Sequence, residues 1–458
     1  MNADGRRFHV EKMQICPCFS AVTERWLLPE AKKSSCSLFY LRLSASICGS
    51  NCIVPAKVSG FAGHVGSPGV AAPEDGRAPA LGGTRGSCLA LAALVLMLAL
   101  VPAGAQSQQE MVFVGSGKKN IEAFRFDQAA GTLTRVGVAA EIEQPSFLAI
   151  SPNHHFLYAI SEGRNAAASS ISAFAIDAAA GKLTFLNKQP AGGAGPCYVE
   201  IDAGGKNALI ANYNSGSFAV FPLAANGELQ PRSAFIQDQG SSVNASRQEG
   251  PHAHCLVAGP GEKFAFGCDL GLDKVMIFKF DPDHGTLVPN EPAFTQTKPG
   301  AGPRHIVFNP NGRWAYVINE MGSSLTVFQY DASAGTLQEF ETQSTLPKDF
   351  SGQSTCAEVA VHPSGKFVYA SNRGDDSIAV FGCDPIGGRL TFIERVPTGG
   401  KTPRQFEIDP SGRYLVAGNQ DSNSVVVFSI DNNSGHLQPT GTQVQSDNPM
   451  CVRCLVLP

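Results

Sequence analysis

No stretch of this chain concentrates lysine or arginine. Its 458 residues hold 35 basic and 39 acidic side chains, for a formal net charge of −4. That balance builds no positive field of the kind that binds nucleic acid or an anionic membrane, so neither is an expected partner. Helical periodicity is also missing, apart from one N-terminal apolar segment, which excludes a helical solenoid. Cysteine builds no framework. Cys16, Cys18, Cys36, Cys48, Cys52 and Cys88 lie before residue 105. The seven others (Cys197, Cys255, Cys268, Cys356, Cys383, Cys451, Cys454) are odd in number and scattered over strand-like stretches. Cys451-Val-Arg-Cys454 has metal or redox spacing, but there is no second such pair. Leu455 follows it where haem attachment needs His.

What the chain has is glycine and proline, 48 and 30 of them, recurring at intervals. That is the habit of an all-β protein with many turns. Near the N-terminus, Arg85 precedes an apolar run from Cys88 to Val101, and Ala103-Gly104-Ala105 follows. The run is short for a membrane span and suits a signal-peptide core, so residues 85–105 are read as a signal peptide cleaved before Gln106. A buried helix or a short anchor is the alternative. Residues 1–84 exceed any ordinary leader and are read as a disordered extension or a start assigned upstream of the true one. A periplasmic or secreted location follows, with a cytoplasmic one as the alternative.

One turn recurs seven times, as in "FDQAAGTLT", "YDASAGTLQEF" and "IDNNSGHLQP". Glycine supplies the positive φ of a hairpin loop there, and aspartate favours its entry. A second Pro/Gly turn alternates with it, as in "NPNGRWAY" and "HPSGKFVY". Four short strands per unit of about 50 residues match a propeller blade. The first blade begins at "MVFVGSGKKN" without an innermost strand, and the chain ends on "DNPMCVRCLVLP", which reads as the start of a blade. Residues 106–458 are therefore expected to form one all-β domain, a seven-bladed β-propeller closed by its C-terminal strand. Closure removes two exposed sheet edges.

Laying the repeats over one another aligns Arg304 with Ser146, Cys197, His254, Ala357 and Arg404 at the start of each first strand. Glu320, after a second strand, aligns with Glu162, Tyr213, Leu270, Arg373 and Gln420. First strands line the channel of a propeller, so one mouth is expected to collect His254, Arg304, Glu320, Arg373 and Arg404. Polar variation at one register of a repeat is what a site grafted on a scaffold looks like. A structural ion pair is the alternative for any single Arg–Glu pair. His252 and His254 have His-x-His spacing, with Asp269 and Asp273 nearby, but no tight ligand cluster forms and no metal site is assigned.

The segments "GPRHIVFNPNGRWAYVINEMGSSLTVFQYD", "EVAVHPSGKFVYASNRGDDSIAVF", "TPRQFEIDPSGRYLVAGNQDSNSVVVFSID" and "PHAHCLVAGPGEKFAFGCDLGLDKVMIFKFD" resemble the seven-bladed propeller lactonases. This family includes the bacterial propeller-type 6-phosphogluconolactonase and the fungal carboxymuconate cycloisomerase, and is also called the cycloisomerase 2 family. The resemblance runs from about residue 111 to the end of the chain. It implies a lactonase of carbohydrate metabolism that needs neither metal nor cofactor. By motif, it also implies a catalytic set of His254, Arg304, Glu320 and Arg373, with Arg404 and Glu358 at further substrate-binding positions. Glu320 would act as general base on water, Arg304 and Arg373 would hold a phosphate or carboxylate and the oxyanion, and His254 would protonate the leaving oxygen. The implied partner is a small anionic lactone. A phosphorylated sugar lactone is a cytosolic metabolite, which conflicts with an export segment. Two other functions stay open: a cycloisomerase acting on a muconate-like diacid, and a non-catalytic binding scaffold.

Overall fold

The two recurrent turns dock on each other, and this sets the blade geometry. Gly335, in the turn between the third and fourth strands of its blade, has φ +69, and a Cβ there would run into the ring of Phe264. Phe264 opens the second strand of the preceding blade, just after the other turn type. Gly388 stands in the same way against the indole of Trp314. A bare glycine allows both the left-handed backbone and the close approach of the ring. The same turn also receives hydroxyl donors, with Tyr369 Oη donating to the Gly435 carbonyl at 2.9 Å.

The computed structural model describes residues 109–457; the expected extension at 1–84 and signal segment at 85–105 lie outside them. Among the described residues, 28 strands form seven antiparallel four-stranded sheets in a ring, with one turn of 3-10 helix at Ala166–Ala168. In one blade the strands are Pro303–Phe308, Trp314–Asn319, Ser324–Asp331 and Thr336–Ser344, numbered outward from the channel. The ring closes as expected. Pro449–Val456 pairs antiparallel with Gln109–Ser116, from Glu110 opposite Val456 to Gly115 opposite Cys451.

The hydrophobic core lies between neighbouring blades. Trp314, Tyr316 and Ile318 of one blade pack with Val359, Val368 and Phe381 of the next. Second strands such as Trp314–Asn319 are buried along their whole length, because both faces of each blade are covered. Only the outermost strands, such as Thr336–Ser344, alternate with solvent. Burial of this apolar surface holds the ring together, and the channel is left to polar chemistry. All seven cysteines from Cys197 onward are free and buried. Cys451 and Cys454 stand an odd number of residues apart on one strand, so their side chains face opposite sides.

Candidate active site at one mouth of the channel

The first-strand positions of the site are made by β-bulges. The pairing of first and second strands shifts register between Pro196 and Tyr198, Ala253 and Cys255, Pro303 and His305, Cys356 and Val359, and Pro403 and Gln405. The extra residues are Cys197, His254, Arg304, the pair Ala357 and Glu358, and Arg404. A bulge frees a residue from the ladder and re-aims its side chain. Repeated around the ring, it turns these side chains toward one mouth.

Glu320 is the centre of the cluster. Its Oε2 accepts from Arg304 Nε at 3.1 Å and pairs with Arg373 Nη2 at 2.8 Å, and its Oε1 accepts from Arg247 Nη2 at 2.6 Å. The carboxylate is only 6 % exposed. Burial pushes its pKa up, but Arg373, Arg304 and Arg247 outweigh burial and hold it at about 2. Burial, together with the charges of Arg373 and Arg404, lowers Arg304 to about 10. Arg304 is also fixed by donating from Nη1 to the Ala357 carbonyl at 2.7 Å, and Arg373 by donating to the Cys356 carbonyl at 2.9 Å. Arg404 is half-buried and has no side-chain hydrogen bond or ion pair among the described residues. Its charge, with that of Arg304, helps lower the pKa of His254, although burial is the larger cause. His254 is therefore neutral at neutral pH.

A second layer lies beneath. His305 Nδ1 stands 2.9 Å from Glu358 Oε1, and Arg304 Nη1 stands 3.1 Å from His305 Nε2. Burial lowers His305 to about 4, so the ring is neutral. The partners then set its tautomer: Nδ1–H donates to the carboxylate, and Nε2 accepts from the guanidinium. Its ring packs edge-on against those of His254, Tyr198 and Phe147, at centroid distances of 5.2, 5.0 and 5.8 Å.

The structure thus brings Glu320, Arg304 and Arg373 into direct contact. It sets His254 and Arg404 on the same rim, and it places Glu358 one layer down. Two contributors were not anticipated. Arg247 comes from the loop before Ala253–Ala258 and also donates to Tyr213 Oη at 3.3 Å. His305 follows Arg304 in sequence, and strict strand alternation would send it to the opposite face. The bulge places both on the channel.

The two residues of the His-x-His pair both meet the ring of Tyr213. His252 precedes the strand and stacks on Tyr213 at 4.4 Å, whereas His254 meets the same ring edge-on at 5.5 Å. Asp269 is occupied by the amides of His252 and Leu272, and Asp273 by Ser242 and the amides of Gly300 and Gly302. Among the described residues no group of three or more His, Cys, Asp or Glu is placed to hold a metal ion.

The far end of the channel differs. Arg453 pairs with Glu407 at 3.1 Å, and Tyr198 donates to Glu200 Oε2 at 3.3 Å. Burial raises Glu200 to about 7 and also raises Glu407. These residues border a recess of about 290 Å³. A larger recess of about 480 Å³ opens on that same face, between the turns at Gly259–Glu262 and Asn309–Pro310, away from the arginines.

A closed ring of seven four-stranded sheets defines the class of seven-bladed β-propellers. The chain belongs to the propeller lactonase family: residues 111–454 match the model of the family described as Lactonase, 7-bladed beta-propeller. It is 35% identical over 343 residues to the 6-phosphogluconolactonase of Bacillus subtilis, covering 75% of this chain and 96% of that one. The 6-phosphogluconolactonase of Formosa agariphila is 35% identical over 303 residues, covering 64% and 85%. Among solved structures, the periplasmic gluconolactonase of Pseudomonas aeruginosa superposes with a TM-score of 0.72 at 30% identity, covering 76% of this chain and all of that one.

Proposed function

We propose that this protein hydrolyses a sugar lactone of the 6-phosphogluconolactone type, by water attack at the arginine-lined mouth and without a metal. The observation that carries this is Glu320 held by three guanidiniums beside neutral His254, with the free guanidinium of Arg404 on the same rim. The Bacillus subtilis relative supports the substrate class.

The reaction joins a water oxygen to the acyl carbon, breaks the ring C–O bond and leaves a carboxylate. Negative charge develops first on the carbonyl oxygen, and planar, permanently charged guanidiniums suit it. Arg404 supplies the unoccupied fork, Arg373 is engaged by Glu320, and Arg304 holds Glu320 and His305 in place. A carboxylate held at about 2 by three guanidiniums takes a proton weakly. Glu320 therefore orients the guanidiniums and the water, and the base role moves to His254. Neutral His254 takes the proton from water and returns it to the departing ring oxygen. The export of the chain is proposed on the segment 85–105, and the periplasmic gluconolactonase supports it.

A pH-stat assay of the chain from Gln106 tests this, with 6-phosphogluconolactone and gluconolactone, with and without chelator. Opening of either lactone above the spontaneous rate, insensitive to chelator, is expected. The acid limb of kcat/KM should fall below the usual histidine value near 6.5 and vanish in His254→Gln. A limb at or above that value would remove His254 as the base. No acceleration of either lactone would shift the assignment to the cycloisomerase or to a binding scaffold.

A further inference from the structure

The mouth has a second half that the arginine cluster does not use. Opposite the guanidiniums lies a recess of about 270 Å³ whose lining includes Gln144, Ser146, Glu162, Arg164, Asn214 and Gln420. Three come from the same registers as the catalytic cluster: Ser146 occupies the slot of Arg304 and Arg404, and Glu162 and Gln420 that of Glu320. Where one blade pairs Arg with Glu, this one sets a hydroxyl near a carboxylate that no arginine among the described residues pairs with. Ser146 is 3 % exposed, and its Oγ has no hydrogen-bond partner among the described residues. A buried hydroxyl that lines a cavity and bonds nothing is placed for a ligand. The side chains of Glu162, Gln144 and Gln420 likewise make no hydrogen bond or ion pair within the described residues.

We propose that this recess is the subsite for the hydroxyl groups of the lactone, so that the enzyme selects a polyhydroxylated acyl chain. This rests on the lactonase assignment of the neighbouring cluster. The chemistry follows from the donor and acceptor inventory. A sugar hydroxyl both donates and accepts, and so do a serine hydroxyl and two kinds of amide group, with a carboxylate as a strong acceptor. A phosphate only accepts, and would meet the Glu162 carboxylate, with Arg164 as the one cation of the lining. The arginine half serves the acyl carbon, where charge develops. The other half serves the hydroxyl-bearing carbons of the molecule.

The test compares the full chain with Ser146→Ala, Glu162→Gln and the double variant on three lactones: glucono-1,5-lactone, δ-valerolactone (the same ring without hydroxyls) and 6-phosphogluconolactone. The expected result is a fall of about tenfold or more in the kcat/KM ratio of gluconolactone to valerolactone in the double variant, since a site built to bond hydroxyls discriminates strongly against their absence. A ratio within about twofold of wild type, less than a lost hydrogen bond would produce, overturns the proposal. So does a gain on 6-phosphogluconolactone alone in Glu162→Gln, which would assign the recess to phosphate. A separate arm measures D-glucitol binding by saturation-transfer NMR. If the wild-type chain opens no lactone, the lactonase assignment fails, yet glucitol bound by wild type and released by the double variant would still uphold the subsite. No glucitol binding in that case would remove both.

Discussion

The two ends of the channel hold the same kinds of side chain in opposite proportion. At the mouth, three guanidiniums surround one carboxylate, and a fourth, that of Arg404, has no side-chain partner among the described residues. At the far end, one guanidinium, Arg453, pairs with Glu407, and Glu200 lies in the same recess. The acidities follow. Glu320 is held at about 2, whereas Glu200 is raised to about 7. Burial raises both; the number of cationic neighbours decides which way each one goes. The propeller frame is the same at both ends, so the chemistry of each end is a property of its side chains alone.

Removing the anion at the mouth should have the largest effect. Glu320→Gln leaves three guanidiniums with no shared counter-charge, and kcat/KM is expected to fall by about a thousandfold or more. Its stability should drop by about 3–5 kcal/mol, as for one partner lost from a buried ion pair. Lactone assays and urea melts on the same preparation check both numbers. A variant with more than a tenth of wild-type kcat/KM would demote Glu320 to a structural role.

The free cation gives the sharper contrast. Arg404 makes no ion pair within the described residues, so Arg404→Gln should cost activity about a hundredfold while changing stability by less than about 1 kcal/mol. A large stability loss with intact turnover would show that Arg404 is structural and that the rim lacks a free fork.

The smallest effect concerns pH. Glu200 has a folded pKa of about 7, above the unfolded carboxylate value near 4.3. The folded state then holds a proton that the unfolded state has released, so stability falls as pH rises from about 4.3 to 7. Glu320 has the opposite sign: its contribution is present above about 4.3 and is lost as pH falls toward 2. Denaturant midpoints between pH 4.5 and 7.5 should decline in wild type and decline less steeply in Glu200→Gln, where Glu110, also raised to about 7, keeps part of the slope. Equal slopes in the two proteins would mean that burial does not protonate Glu200.

Much of this was legible in the chain. The alternating turns marked seven blades, and their register brought Arg304, Glu320, Arg373, Arg404 and His254 to one rim. Arg247 was not legible. It stands in a connection of irregular length, where no repeat register applies, and reaches Glu320 across 73 residues of sequence. His305 was hidden for a different reason. Period-two alternation separates it from Arg304, and only the bulge between Pro303 and His305 turns both onto the channel.

By itself the sequence determined the scaffold. Turn glycines, strand residues and aromatics that dock on those glycines are local requirements, repeated seven times, and repetition makes a local pattern readable. Only the tertiary structure decided the electrostatics. The acidity of a carboxylate depends on how many guanidiniums converge on it from separate blades and on how much water is excluded. Both are facts of three-dimensional distance, which spacing along a chain does not contain.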